Sequence, residues 1–110
     1  MVTKILKFMG KIDTNIKLSF QRALLGNISK HLRVICCDWK ENDWIKIRFY
    51  LDVEPNDEEK ELVSCILTEL ETDLNFEKII EEILFSNESF EEIDKMRLLI
   101  FWRNELPIFS

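Results

Sequence analysis

Hydrophobic positions in the first third of the chain recur at the three- and four-residue spacing of one helical face. The set consists of Ile5, Leu6, Met9, Ile12, Ile16, Phe20, Ala23 and Leu24. This spacing predicts a helix over residues 13–25, preceded by a short helical turn that Gly10 separates from it. Gly26 is expected just beyond the helix end, because a residue without a Cβ atom adopts the left-handed conformation there at little cost.

The pattern then changes to that of two β-strands. Residues 31–39 are rich in β-branched and apolar side chains, and residues 44–52 alternate between apolar and polar. The polar stretch 40–43 is short enough for a turn, so the two strands are predicted to form an antiparallel hairpin. One face of the second strand is predicted to be a basic and aromatic solvent face, and it carries Trp44, Lys46, Arg48, Tyr50 and Asp52.

A second helix has clear start signals. Pro55 ends the preceding strand, Asn56 can accept a hydrogen bond from a first-turn amide, and Glu59 follows three residues later as in a capping box. A broad apolar stripe follows, made of Leu62, Val63, Ile66, Leu67, Leu70 and Leu74. A stripe of this width predicts that the helix covers one face of a sheet.

The last third of the chain is predicted to add two more strands. Residues 76–85 return to a period near two, which favours a strand, although the same residues could also extend the helix. Residues 86–94 are predicted to form an acidic loop, and residues 96–103 a final strand. The order α-β-β-α-β-β predicts an α+β fold, in which residues 1–110 form one domain. Two hairpins are expected to build a four-stranded antiparallel sheet with the helices packed on one face.

Charge is distributed very unevenly along the chain. Residues 52–94 hold sixteen acidic side chains and two lysines, whereas both flanking segments are net basic, and the whole chain carries a net charge of −6. Such a field repels nucleic acid and anionic membranes and attracts a basic protein. The acidic stretch therefore has two alternative explanations, binding to a basic partner and solubility alone.

Targeting signals and disulfide patterns are not evident in the sequence. The apolar runs are much shorter than the roughly 20 residues of a membrane-spanning helix, and the first residues do not form a signal peptide. The three cysteines, Cys36, Cys37 and Cys65, are an odd set with two adjacent members. These features predict a reduced, cytoplasmic protein.

Residues with catalytic or metal-binding potential do not form a recognisable motif. His31 and the three cysteines are the soft metal ligands of the chain, and adjacent cysteines on a strand point to opposite faces. Asp52, Glu58 and Lys60 weakly resemble the two acidic residues and the lysine of metal-dependent nuclease motifs. A stretch with this many acidic residues is expected to contain such a combination by chance. We therefore expect no catalysis, no metal and no cofactor.

Two groups of acidic residues are candidates for binding a basic partner. Glu58, Glu61 and Glu69 share one flank of the second helix, by the 100° turn per residue. The acidic loop carries the second group, in which an aromatic side chain lies among carboxylates; its members are Glu88, Phe90, Glu91 and Glu92.

Two alternatives involve the sheet. Its basic and aromatic face could bind single-stranded RNA, which stacks on aromatic rings and pairs with cations, although the chain lacks the motifs of RNA-binding sheets. The residues concerned are Arg33, Trp39, Trp44, Lys46, Arg48, Tyr50, Arg97 and Arg103. The apolar final strand, over residues 98–102, could instead mediate self-association as an edge strand.

Several stretches resemble segments of a group of small bacterial α/β proteins: LRVICCDW at 32–39, IKIRFYLD at 45–52 and DEEKE at 57–61. In that group a helix ending in a sequence like RALLG, here at 22–26, precedes the first strand. In size, acidity and architecture the chain is similar to immunity proteins of contact-dependent inhibition and related toxin systems. The resemblance implies a non-enzymatic protein, monomeric or weakly dimeric, that neutralises a cognate toxin, often a basic nuclease, by covering its active site or substrate groove.

Overall fold

The computed structural model describes residues 14–103, which form two helices and one four-stranded sheet. Helix α1 covers residues 14–24, and helix α2 spans Asp57–Asp73. The strands are β1 (Leu32–Lys40), β2 (Trp44–Leu51), β3 (Lys78–Phe85) and β4 (Leu98–Trp102). The α+β class is confirmed, and residues 76–85 contain a strand rather than a continuation of the helix. The predicted helical turn before Gly10 lies outside the described residues.

The sheet is mixed, so the prediction of an antiparallel sheet is wrong in part. Its strand order is β3-β2-β1-β4, in which β1 runs antiparallel to β2 and to β4, and β2 runs parallel to β3. The reason is the position of α2, which returns the chain to the starting end of β2 before β3 begins. Strands β3 and β4 consequently lie at opposite edges of the sheet, and the expected second hairpin does not form.

The β1–β2 hairpin forms as predicted. Its turn is closed by the N–H of Asp43, which donates to the carbonyl oxygen of Lys40 at 3.0 Å. Asn42 adopts φ 62° in this turn, a left-handed conformation that asparagine tolerates better than most residues. Gly26 has φ 79° just beyond α1, which confirms its predicted place at the helix end.

Helix α2 begins with half of the predicted capping box. Asn56 Oδ1 accepts a hydrogen bond from the N–H of Glu59 at 2.9 Å. The Glu59 carboxylate does not return to Asn56, because its Oε1 accepts a hydrogen bond from the Ser29 hydroxyl at 2.5 Å. Glu59 is buried, so this cap also ties α2 to the segment between α1 and β1. Three acidic residues in the first turn complement the positive end of the helix dipole.

The main hydrophobic core lies between the two helices and one face of the sheet. The two helices contribute Ile16, Phe20, Ala23, Leu24, Val63, Ile66, Leu67 and Leu70, and the strands contribute Leu32, Ile35, Cys37, Trp39, Ile45, Ile47, Phe49 and Leu51. The predicted packing of the helices on one side of the sheet is therefore confirmed. Burying large apolar side chains of this kind contributes about 1.5–3 kcal/mol each before the loss of conformational entropy.

A smaller core occupies the opposite face of the sheet. Residues 86–97, called the crossing segment below, connect β3 to β4 from one edge of the sheet to the other. Ile93 from this segment is buried against Val34, Cys36 and Tyr50. Half-buried side chains surround them, namely Phe90, Met96 and Leu99.

The second core corrects the prediction that this face of β2 is exposed to solvent. Tyr50 is 7% exposed, and the side chain of Arg48 is 18% exposed. The acidic composition of the crossing segment suggested a solvated loop, but its apolar residues cover the sheet. No helix within residues 14–103 is long and apolar enough to cross a membrane.

Candidate functional site

The carboxylates that face the sheet are engaged in ion pairs, and Arg48 is the centre of one such network. Its Nε donates to Glu82 Oε1 on β3 at 2.9 Å, and its Nη1 lies 3.4 Å from Asp94 Oδ2 in the crossing segment. The Tyr50 hydroxyl accepts from Arg48 at 3.2 Å and donates to the carbonyl oxygen of Asp94 at 2.9 Å. Burial raises the pKa of Tyr50, although Arg48 partly opposes this. The network links β2, β3 and the crossing segment.

Arg33 holds the start of the crossing segment. Its side chain is buried, and its guanidinium donates to the carbonyl oxygens of Ser86 and Glu88, both at 2.8 Å. These are charge-assisted hydrogen bonds, which contribute more than bonds between neutral groups. Arg33 is therefore part of the folded framework.

Asp52 joins two basic side chains at the end of β2. His31 Nδ1 lies 2.8 Å from Asp52 Oδ1, and Arg103 Nη1 donates to Asp52 Oδ2 at 2.8 Å. Burial alone would raise the pKa of Asp52, but the hydrogen bonds and charges of Arg103 and His31 outweigh it and hold the pKa below its ordinary value. Asp52 thus remains ionised as a link between the strand and its neighbours.

These contacts contradict the prediction of an accessible basic and aromatic sheet face. Three of its arginines bind partners within the fold, and Trp39 is buried. The guanidinium of Arg97 stacks on the Trp39 ring at 3.8 Å and donates to the Trp39 carbonyl oxygen at 3.1 Å. The cations are used to attach peripheral segments to the sheet, a role that the sequence pattern alone does not distinguish from RNA binding.

Helix α2 presents a different kind of carboxylate. Glu58, Glu61 and Glu69, the three helix residues predicted to bind a partner, are exposed. None of them forms an ion pair with another residue of the described range, whereas Asp73 at the helix end pairs with Arg22 at 3.0 Å. The outer surface of α2 therefore carries negative charge that the described part of the fold does not neutralise.

The crossing segment carries the second predicted group. Glu88, Glu91 and Glu92 are exposed, and no ion pair connects them to a residue within 14–103. Phe90 is half-buried, packs against the second core and lies under Lys95, whose Nζ is 4.5 Å from the ring centre. Phe90 is thus partly committed to the fold rather than projecting freely among the carboxylates.

The structure separates the two predicted groups of site residues. Helix α2 packs on the face of the sheet that forms the main core, and the crossing segment packs on the opposite face. A single flat interface therefore does not contain both groups. The sequence did not indicate that the two groups lie on opposite faces, because it does not reveal on which side of the sheet the crossing segment passes.

The family model described as MafI2 immunity protein matches residues 13–105 of the chain. The chain belongs to this family. The predicted likeness to bacterial toxin-immunity proteins is confirmed by this match, and no curated protein matches the chain. An immunity protein protects a cell from a cognate toxin, so membership of the MafI2 immunity family indicates a role in toxin neutralisation.

The three cysteines of this MafI2-family chain differ in their exposure. Cys36 and Cys37 are buried on opposite faces of the sheet, and Cys65 is exposed on α2. Burial raises the pKa of the Cys36 thiol to about 11. Within residues 14–103 no group of three His, Cys, Asp or Glu side chains is placed to hold a metal ion.

Proposed function

We propose that this chain neutralises a basic toxin domain, such as a nuclease, by binding it through acidic groups that the described fold leaves unpaired. The observation that supports this is the division of the carboxylates into two kinds. Those that face the sheet, including Asp52, Glu82 and Asp94, pair with arginines. The exposed carboxylates of Glu58, Glu61 and Glu69 on α2, and of Glu88, Glu91 and Glu92 on the crossing segment, form no ion pair within the described residues.

Unpaired surface carboxylates are suited to capturing a basic partner. Grouped like charges destabilise a fold slightly, but they produce a potential that attracts an oppositely charged protein before contact. The attraction extends over roughly 8 Å at physiological ionic strength and acts mainly on the association rate. A toxin that binds nucleic acid needs a cationic groove, so an acidic inhibitor competes directly for that groove.

Helix α2 is the surface that we assign to this encounter. Its outward residues include Glu58, Glu61 and Glu69, with Lys60 as the basic residue of the helix. The crossing segment is the second candidate surface, through Glu88, Phe90, Glu91 and Glu92. Because Phe90 already packs on the second core, we propose that it supports the neighbouring carboxylates and is not itself the main contact with the toxin. We propose that neutralisation takes place in the cytoplasm, within a system of the contact-dependent inhibition type.

The first test is a growth assay. The C-terminal domain encoded by the gene immediately upstream is expressed inducibly, with and without this chain. Rescue from growth arrest supports the immunity function for that pair. A domain that is harmless, or that arrests growth despite the chain, contradicts the proposed pairing.

The second test locates the interface by charge reversal. Association of the purified toxin domain is measured by stopped-flow fluorescence for wild type, Glu61→Lys/Glu69→Lys and Glu91→Lys/Glu92→Lys. The two double variants change the net charge equally and on opposite faces, so each is the control for the other. We expect the α2 variant to associate about tenfold or more slowly at low salt, with a flatter salt dependence. Equal rates for wild type and the α2 variant would remove α2 from the interface.

The RNA-binding alternative is tested with the same protein. A labelled single-stranded RNA should be retained at low salt and released steeply as salt rises if the sheet face binds nucleic acid. The engagement of Arg33, Arg48 and Arg103 within the fold leads us to expect no retention.

A further inference from the structure

The outer edge of β3 presents backbone groups that no described residue binds. β3 is the edge strand beside β2, and their register is continuous from Lys78 to Phe85 without a bulge. The N–H groups of Lys78 and Ser86 donate to carbonyl oxygens beyond the two ends of the β2 ladder, those of Asp43 and Leu51. The backbone N–H groups of Lys78 and Ser86, both even-numbered residues, therefore point toward β2.

Strand alternation then fixes the direction of every other group in β3. The backbone N–H and C=O of one residue point to the same side of a strand, and those of the next residue point to the other side. The backbone groups of four residues consequently point away from the sheet, namely those of Ile79, Glu81, Ile83 and Phe85. An unprotected edge of this kind is a template for pairing with another chain.

The side chains of β3 add apolar surface and negative charge to this edge. Leu84 is 40% exposed and Phe85 is 42% exposed, at the end of the strand. Glu81 is exposed and shares its sheet face with Ile79 and Ile83, which pack on the main core beneath the helices. The edge therefore combines backbone hydrogen-bonding groups with one exposed apolar side chain on each face of the sheet. Phe85 and the Glu81 carboxylate lie on the same face as α2, and Leu84 lies on the opposite face.

We propose that the β3 edge binds an extended basic segment of the toxin, which pairs with β3 as a fifth strand of the sheet. This inference rests on the proposed function, because it takes the toxin as the partner. Main-chain hydrogen bonds to the four outward residues provide affinity, and side chains of the added strand provide specificity. A Lys or Arg of the toxin opposite Glu81 forms the cross-strand ion pair that stabilises such a ladder.

Charge explains why the occupant is a basic partner rather than a second copy of this chain. Two β3 edges that pair antiparallel and centrally place Glu81 opposite Glu81, or Glu82 opposite Glu82, of the other copy. Like charges directly opposite each other destabilise a strand pair. The other edge strand, β4, has no acidic residue and lies between Arg97 and Arg103. β3 carries two glutamates, Glu81 and Glu82, against one lysine at its start, Lys78, so it is the edge better matched to a basic segment.

Amide hydrogen exchange, read by NMR, tests the proposal on the unmodified protein. The probe is the toxin domain encoded upstream, inactivated at its active site, added to the full chain. In the free protein, the amides of Ile79, Glu81, Ile83 and Phe85 should exchange faster than those of Ile80, Glu82 and Leu84. In the complex the four outward amides should slow by about tenfold or more. A complex that forms without slowing them overturns the β3 proposal.

A proline substitution tests the same edge by affinity. Glu81→Pro removes an outward N–H and leaves the β2–β3 ladder intact, since proline is tolerated on an edge strand when its nitrogen faces away from the sheet. Glu81→Thr removes the carboxylate and keeps the N–H. Trp102→Pro is the control on the opposite edge, because the neighbouring Arg103 N–H donates to Arg33 and Trp102 therefore faces outward. Circular dichroism confirms that each variant is folded.

The expected affinities separate this proposal from the proposed function. Glu81→Pro should raise the Kd for the toxin domain by about tenfold or more. Glu81→Thr should have a smaller effect, and Trp102→Pro none. Wild-type affinity in folded Glu81→Pro overturns the β3 site and leaves toxin neutralisation standing. Failure of the wild-type chain to bind the toxin domain overturns both.

Discussion

Arg48 on β2 binds Glu82 on β3 and Asp94 in the crossing segment, so its guanidinium connects three parts of the fold. Removing this group should therefore lower the stability of the protein by a predictable amount. Arg48→Met keeps most of the apolar stem and removes the guanidinium. The bond to Glu82 is 2.9 Å long and both side chains are less than one third exposed, so its loss should cost about 1.5–3 kcal/mol. Asp94 is 72% exposed, and its pair adds about 0–1 kcal/mol. We expect the free energy of unfolding to fall by about 1.5–4 kcal/mol in total.

Urea denaturation followed by tryptophan fluorescence measures this loss. With a slope of about 1–3 kcal/mol per molar urea, the midpoint should fall by roughly 0.5–4 M. A double-mutant cycle with Glu82→Gln isolates the pair, and we expect a coupling free energy of about 1.5 kcal/mol. The matched control is Lys40→Met, which breaks the exposed Lys40–Asp43 pair and should change stability by less than about 0.5 kcal/mol. A coupling free energy no larger than this control would refute the reasoning.

Two further predictions concern pH and thiol accessibility. The pKa of Asp52 is lower in the folded protein than in the unfolded chain. The ionised carboxylate therefore stabilises the fold at pH values above the unfolded pKa, which is near 4. This stabilisation is lost as the pH falls through the folded pKa. Asp52→Asn should therefore destabilise the protein at pH 7, and urea midpoints of variant and wild type should converge well below pH 4; a constant difference down to pH 2 would contradict this. Cys65 is exposed and Cys36 and Cys37 are buried, so a thiol reagent should modify one cysteine rapidly in the native protein and all three in urea. Rapid modification of more than one thiol in the native protein would contradict the burial of the adjacent pair.

The helices and strands could be predicted from the sequence because their signals are local. The apolar stripe of α2 and its Asn56 cap are encoded within one segment, and so is the alternation of β3. The pairing direction of β3 is not local, since a strand shows the same alternation beside a parallel or an antiparallel neighbour. The sequence does contain one signal for the direction, because a helix between two strands is the usual connection of a parallel pair.

The candidate site was predictable in its charge and not in its geometry. Exposed glutamates on α2 follow from helical periodicity, because the opposite face of the helix is apolar. The side of the sheet covered by the crossing segment depends on contacts of Ile93 and Phe90 with β1 and β2, which are distant in sequence. The same contacts explain why Arg48 and Tyr50 have internal partners. The free edge of β3 follows from the sheet order and therefore required the structure.

The crossing segment also has a consequence for synthesis on the ribosome. Its Asp94 contacts Cys36 of β1 across 58 residues of chain. At about 5–20 residues per second, the ribosome needs roughly 3–12 s to make that intervening stretch. During this interval the β1–β2 hairpin can form, while Val34, Cys36 and Tyr50 have no covering residues and β1 lacks its β4 neighbour. The nascent chain therefore passes through a period of several seconds in which an uncovered apolar surface and an unpaired strand edge coexist.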